Sequence, residues 1–243
     1  MSERGDDPPE RAEEFIQLFN RVAEHLTQLV NPQRFVPFNN LVDVASARSA
    51  AVRANALALR QFAMLRNAIV HDPGYPPHIA AVPSAETLSK FNRVAQKVLE
   101  PARLIPTFET QVRCFLVNES LQTALRFMRE RDFSQVMVWG GDKRLRMLTV
   151  EGITWWLADN VRDDQNPVNT AVIGDIIALE PPGGFIVMGP DRTIFDAADA
   201  FRNVIDREAT RLYAIVITGS GGDTDTPVGF ITPWDMVHNS RLQ

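Results

Sequence analysis

The chain of 243 residues has a single cysteine, Cys114. That excludes an internal disulfide and any cysteine-based zinc cluster. An excess of basic residues is also missing: 25 Lys and Arg stand against 30 Asp and Glu, a formal net charge of -5. A nucleic-acid partner normally leaves a basic footprint, so this balance disfavours RNA, although a small local patch stays possible. No apolar run approaches the roughly 20 residues needed to span a bilayer. The opening "MSERGDDPPE" is charged and contains prolines, unlike a basic-then-apolar leader. We therefore expect a cytoplasmic protein with no membrane partner. His25, His78 and His238 are scattered without ligand spacing, so no metal site is expected. "EPPGG", residues 180–184, has no Lys, Ser or Thr after its glycines and reads as a turn, not a phosphate-binding loop.

What is present belongs to a globular protein. The apolar fraction is 45% and the charged fraction 23%, and the length has room for one large or two ordinary domains. Residues 1–12 carry two prolines and mostly charge, which predicts a disordered tail. From Glu13 onward Phe15, Leu18, Phe19, Val22, Leu26, Leu29 and Val30 recur at spacings of three and four, the stripe of an amphipathic helix ended by Asn31-Pro32. A second helix is predicted over residues 40–70. Its stripe is Leu41, Val44, Ala45, Val52, Ala56, Leu59, Phe62 and Ala63, interrupted by Arg48, and its alanines allow close approach of a partner helix. "GYPPHIAAVP" is too rich in proline to be regular. Ser84 then reads as the N-cap of a third helix that ends before Pro101. No strand signal occurs before residue 110, so residues 13–106 read as an all-α bundle.

The periodicity changes after residue 112, and the sequence repeats itself. "VNESLQTALRFM" can be laid over "MGPDRTIFDAADAF", which places Leu121 on Ile194, Ala124 on Ala197, Leu125 on Ala198 and Met128 on Phe201. "SQVMVW" and "LYAIVIT" follow as strands, and "MLTVEGITWWL" and "GFITPWDMV" as a last strand and helix. Each copy reads β-α-β-β-α, so the fold class is α+β: a helical domain, then repeats over 107–170 and 171–243. Of the adjacent Trp155 and Trp156, at most one can face the core fully, and Cys114 reads as a small core residue.

The repeat and the ending "GFITPWDMV" resemble a tandem pair of cystathionine β-synthase (CBS) domains over 107–243. That family's terminal signature is Gly, two apolar residues, Ser or Thr, two variable residues, then Asp and an apolar residue. The resemblance implies a Bateman-type module, two α/β units packed sheet to sheet, with adenine-nucleotide clefts between them. It implies ligand contacts from Asp235 to ribose hydroxyls, from Thr232 to phosphate or ribose, and from the backbone of Tyr213 and Ala214 to adenine. A short carboxylate can accept from two vicinal hydroxyls, and a hydroxyl at a helix start can assist in holding phosphate. Thr232 as a plain N-cap and Asp235 as a dipole-favoured acid remain open readings. The first copy keeps Thr149 but has Arg146 for the leading Gly and Gly152 for the Asp, so its site is expected to be empty or to recognise something else.

The helical half carries "LRNAIVHD", in which Arg66, Asn67 and His71 are similar to the Arg-x4–6-His motif of the HEPN superfamily, whose helical domains include metal-independent ribonucleases completed across a dimer. A histidine can move a proton near neutral pH, and an arginine can stabilise charge on a pentacoordinate phosphate. In an ideal helix Arg66 lies about 140° from His71, so convergence requires the helix to distort or end there. The competing reading has His71 capping the last carbonyls and Arg66 paired with a carboxylate in the bundle. Three functions follow as expectations. The first is a homodimeric sensor of AMP, ADP or ATP, requiring no cofactor, in which the helical domain dimerises or acts as effector. The others are a nucleotide-regulated RNA-cleaving enzyme and a ligand-free assembly module.

Overall fold

The computed structural model describes residues 8–70, 81–162, 166–181, 183–205 and 211–239. They divide into two units, one ending at Ala102 and the other beginning at Arg103. The first unit holds four helices: α1 (Pro8–Val30), α2 (Phe38–Arg48), α3 (Ala50–Val70) and α4 (Ala85–Leu99). Helix α1 starts inside the segment expected to be a tail. Its prolines sit in the first turn, where the missing N–H would have no intrahelical partner, and Ala12 is fully buried. The stripe from Phe15 to Val30 faces the core as the spacing requires. Asn31 ends the helix in the left-handed region at φ 46°, its N–H donating to the Thr27 carbonyl at 2.7 Å.

The helix expected over residues 40–70 is two helices. Ser49 is extended (φ -134°, ψ 119°); its N–H closes α2 on the Ala45 carbonyl, and its hydroxyl accepts from Val52 N at 3.3 Å to open α3. A serine offers the backbone this local alternative, which the surrounding alanines cannot. The break also moves the stripe: Val42 is fully buried, whereas Val44 is 41% exposed. Arg48 has a structural task, donating from Nη1 to the Leu29 and Val30 carbonyls at 2.8 and 2.9 Å, where a cation suits the negative end of α1. At the centre lie Phe15, Phe62 and Phe91, with ring centroids 4.7 Å (Phe15–Phe91) and 4.5 Å (Phe62–Phe91) apart in tilted contact. Ser84 caps α4 by accepting from Thr87 N at 3.1 Å.

The second unit is mixed α+β. A single turn, α5 (Leu104–Thr107), precedes β1 (Cys114–Leu116), α6 (Leu121–Arg131), β2 (Gln135–Trp139), β3 (Leu145–Thr149) and α7 (Val150–Asn160). Helix α8 (Ile173–Ile177) leads to β4 (Phe185–Met188), α9 (Ile194–Ile205), β5 (Ala214–Thr218), β6 (Pro227–Ile231) and α10 (Pro233–Val237). Each of two three-stranded sheets has its middle strand parallel to the first and antiparallel to the last, in the orders β1-β2-β3 and β4-β5-β6.

Alternation along the strands sorts side chains into separate cores. Met137, Leu145, Met147, Ala214 and Val216 meet in a cluster contributed by both sheets. Val136, Val138 and Leu148 turn the other way, onto α6 and α7 through Leu121, Met128 and Trp156. Ile215, Ile217 and Ile231 do the same with Ala197 and Phe201 of α9. Strand β5 is buried at every residue. Trp156 is buried while Trp155 is 47% exposed. Cys114 opens β1 half-buried, its thiol pushed up to about 11 by burial.

Because Phe91 is fully buried among three aromatic rings, Phe91→Ala should destabilise the helical unit by about 3–5 kcal/mol. Phe35, 90% exposed, should change stability by less than about 0.5 kcal/mol when cut to Ala. Urea unfolding followed by circular dichroism compares the two.

Candidate functional site

The α/β unit contains a cleft of about 530 Å³. Its walls come from both repeats. Leu145, Met147 and Thr149 of β3 line one side, Phe185 and Val187 of β4 another, and Ile177, Glu180 and Tyr213 complete it. Of the residues assigned to a ligand from sequence, Thr149 and Tyr213 meet here. Thr232, Ala214 and Asp235 do not line this cleft.

Thr149 ends β3 and caps α7, its hydroxyl oxygen accepting from Gly152 N at 2.9 Å. Its own N–H and O–H both donate to Oε1 of Glu180, at 2.6 and 3.0 Å. The same arrangement occurs at two other helix starts. Thr193 donates from N and Oγ1 to Asp196 at 2.8 and 2.9 Å, and Thr232 to Asp235 at 2.7 Å for both atoms. In those cases the carboxylate stands three residues along, as in a capping box. Helix α7 has Gly152 at that position, and the carboxylate arrives from 31 residues away. A side chain at position 152 and Glu180 on Thr149 exclude one another. A Cβ there would lie 2.2 Å from Glu180 Oε1 and 2.5 Å from its Cδ. The acceptor that the first repeat lacks in its signature is thus supplied by Glu180, in the segment before β4.

Burial raises the Glu180 carboxyl above its ordinary value, and neighbouring Glu151 adds to this, while the bonds from Thr149 pull it partly back. Glu151 accepts from the Tyr213 hydroxyl and lies 3.5 Å from Nη1 of Arg211. Burial and the bond to Glu151 raise the Tyr213 phenol. The Tyr213 backbone N–H donates to the Gly184 carbonyl at 2.8 Å. Ala214 is buried in β5, opposite Phe185. At the cleft rim Arg146 pairs with Asp142 at 2.7 Å and Arg144 with Asp223 at 2.9 Å.

Thr232 and Asp235 sit where β6 passes into α10, and Asp235 is exposed. Its bonds to Thr232 use Oδ2 alone. In the helical unit, Arg66 lies half-buried on α3. Among the described residues its Nε is buried without a hydrogen-bond partner, and its Nη1 donates to Asn67 Oδ1 at 3.5 Å. The carboxylate partner expected in the bundle is absent among the described residues. His71 lies outside the described residues. Among the described residues no group of three or more His, Cys, Asp or Glu could hold a metal ion, and no helix is long and apolar enough to cross a membrane.

No protein-family model matches the chain, and no curated protein matches it. Similar solved structures include the CBS domain of a CBS-domain-containing membrane protein from Sphaerobacter thermophilus, at 15% identity over 63% of this chain and 95% of that one, with a TM-score of 0.44. A conserved CBS-domain protein of unknown function from Thermoplasma acidophilum is 16% identical over 58% of this chain and 71% of its own, with a TM-score of 0.41. CBSX2, solved in complex with AMP, is 15% identical over 54% and 90%, with a TM-score of 0.36.

The burial of Glu180 against α7 predicts a pH signature. Folding raises the Glu180 pKa, so its contribution to stability is complete below the unfolded value near 4.5 and is lost as pH rises through the folded value. The stability of the native chain relative to Glu180→Gln should therefore fall with rising pH across that window. Gly152→Ala should push Glu180 off Thr149 and abolish the pH-dependent difference. It should cost about 1–3 kcal/mol for the buried donors left unpaired, offset by about 1 kcal/mol from replacing a helical glycine. Denaturant midpoints measured across pH test both statements.

Proposed function

We propose that this protein is an adenine-nucleotide-binding regulatory protein. Its α/β unit takes AMP, ADP or ATP, and its helical unit dimerises the chain or acts as effector. The reading is carried by one observation: a doubled plan of strands and helices in which Thr232 and an exposed Asp235 stand at the end of β6, beside the buried middle strand β5. A carboxylate with one oxygen engaged by its own helix start retains an oxygen for ribose hydroxyls, and on this reading Thr232 meets phosphate or ribose. Ala214, on β5 beside β6, belongs to the same reading, whereas Thr149 and Tyr213 line the cleft of the first repeat, which is expected to be empty or to recognise something else. The AMP bound to CBSX2 agrees with this ligand class.

A ligand present at 100 times its dissociation constant should stabilise the fold by about 2.7 kcal/mol. AMP, ADP or ATP should accordingly raise the melting temperature, and Asp235→Ala should remove most of the rise. No shift with any of the three at millimolar concentration would leave the assembly-module reading in its place.

The state of Arg66 favours a second reading, a metal-independent ribonuclease. A half-buried guanidinium without a carboxylate partner among the described residues, next to Asn67 and near the end of α3, is on this reading available to an external anion. If that reading holds, the purified protein cuts single-stranded RNA in the presence of EDTA, and His71→Ala abolishes cutting without changing the melting temperature. Absence of cutting by the native chain, with or without nucleotide, rejects it.

A further inference from the structure

We infer that the outward face of α3 is the surface through which the chain pairs with a second copy of itself, α3 against α3. The inference rests on the reading in which the helical unit dimerises the chain, and it goes further by naming the face and its occupant.

A helix that covers a core with one side turns polar side chains to water with the other. Helices α1 and α4 obey this rule. Exposed positions on α1 include Glu13, Gln17, Asn20 and Glu24, and those on α4 include Glu86, Lys90 and Arg93. Helix α3 departs from it. Val52, Leu59 and Ala63 face the core, while the opposite side carries Ala54, Leu57, Gln61, Met64 and Ala68, all exposed and none charged. Leu57 is 71% exposed and Met64 72%. The arginines that flank this stripe are drawn toward α2: Arg53 donates to the Ser46 carbonyl, and Arg60 pairs with Asp43. An uncharged line of large side chains on the outside of the unit is the mark of an interaction surface.

The stripe itself indicates what covers it. Its residues recur at spacings of three and four, the seam by which one helix packs along another, and small and large side chains alternate down it. Among the described helices of this unit, no other exposed face is free of charge. The matching surface is therefore α3 of another copy, in the isologous pairing that a two-fold axis produces. A charged partner would find no opposite charge on the seam. Gln61, its one polar residue, has an amide that both donates and accepts, so it can satisfy its own twin. A single polar residue in an apolar seam also fixes the register. In an ideal helix Arg66 lies about 160° around from the middle of the stripe. The pairing thus turns away from Arg66 and differs from a dimer in which two copies of the arginine motif meet.

Sedimentation equilibrium of the full chain at tens of micromolar should give about twice the 27.2 kDa chain mass. Leu57→Glu with Met64→Glu, and separately Leu57→Lys with Met64→Lys, should each raise the dimer dissociation constant at least about a hundredfold, because the two-fold axis repeats every change. An equimolar mixture of the two variants should recover the dimer mass whichever way the helices run, since an acidic seam then faces a basic one. Both positions are exposed, so each variant keeps the wild-type circular dichroism. A wild-type monomer overturns the inference together with the dimerisation reading, and leaves the face to another segment or another partner. A dimer indifferent to both variants, or variants that stay apart on mixing, overturns the inference alone. The Asp235-dependent nucleotide shift is read on the same samples and stands or falls separately.

Discussion

The α/β unit depends on one constraint: its middle strands are covered on both faces. A strand places successive side chains on opposite sides, so a strand buried on both sides must be apolar throughout, and its two halves must feed different cores. Strand β5 meets that demand with Ala214 and Val216 toward the other sheet and Ile215 and Ile217 toward α9. Strand β2 does so with Met137 on one side and Val136 and Val138 on the other. With the strands enclosed, the polar groups that must stay reachable are confined to the strand ends. Thr149 and Thr232 occupy such ends, each where a last strand turns into a helix.

A second constraint acts at those ends. A helix start leaves backbone donors that need acceptors. Asp196 and Asp235 answer this from within their own helices, which keeps each solution local. Helix α7 answers it through Glu180, tying its first turn to the segment before β4 and placing a raised carboxyl in the wall of a cleft. One backbone requirement, met in two ways, gives the unit two chemically different positions.

Much of the architecture could be read before any coordinates. The three-and-four spacing from Phe15 to Val30 identifies α1 because an apolar stripe has few other uses, and Ser84 marks the cap of α4. The change of period after residue 112 separates an all-helical part from a mixed one. Other features were not legible for physical reasons. The break at Ser49 hangs on a single hydroxyl in an alanine-rich stretch whose propensity favours one long helix. Helix α1 begins at Pro8 because burial of Ala12 outweighs the charged composition around it. At the site, Thr232 and Asp235 stand out because three residues separate them. Gly152 was visible only as a missing acid; the acid that replaces it lies 31 residues beyond Thr149 and reaches it only once the fold brings it there.

The central claim is that the unit binds an adenine nucleotide at the Asp235 end. A crystal structure of the chain grown with AMP tests this most directly. The account predicts the ribose hydroxyls within hydrogen-bond distance of Asp235. AMP bound with no ribose contact to Asp235 would contradict it.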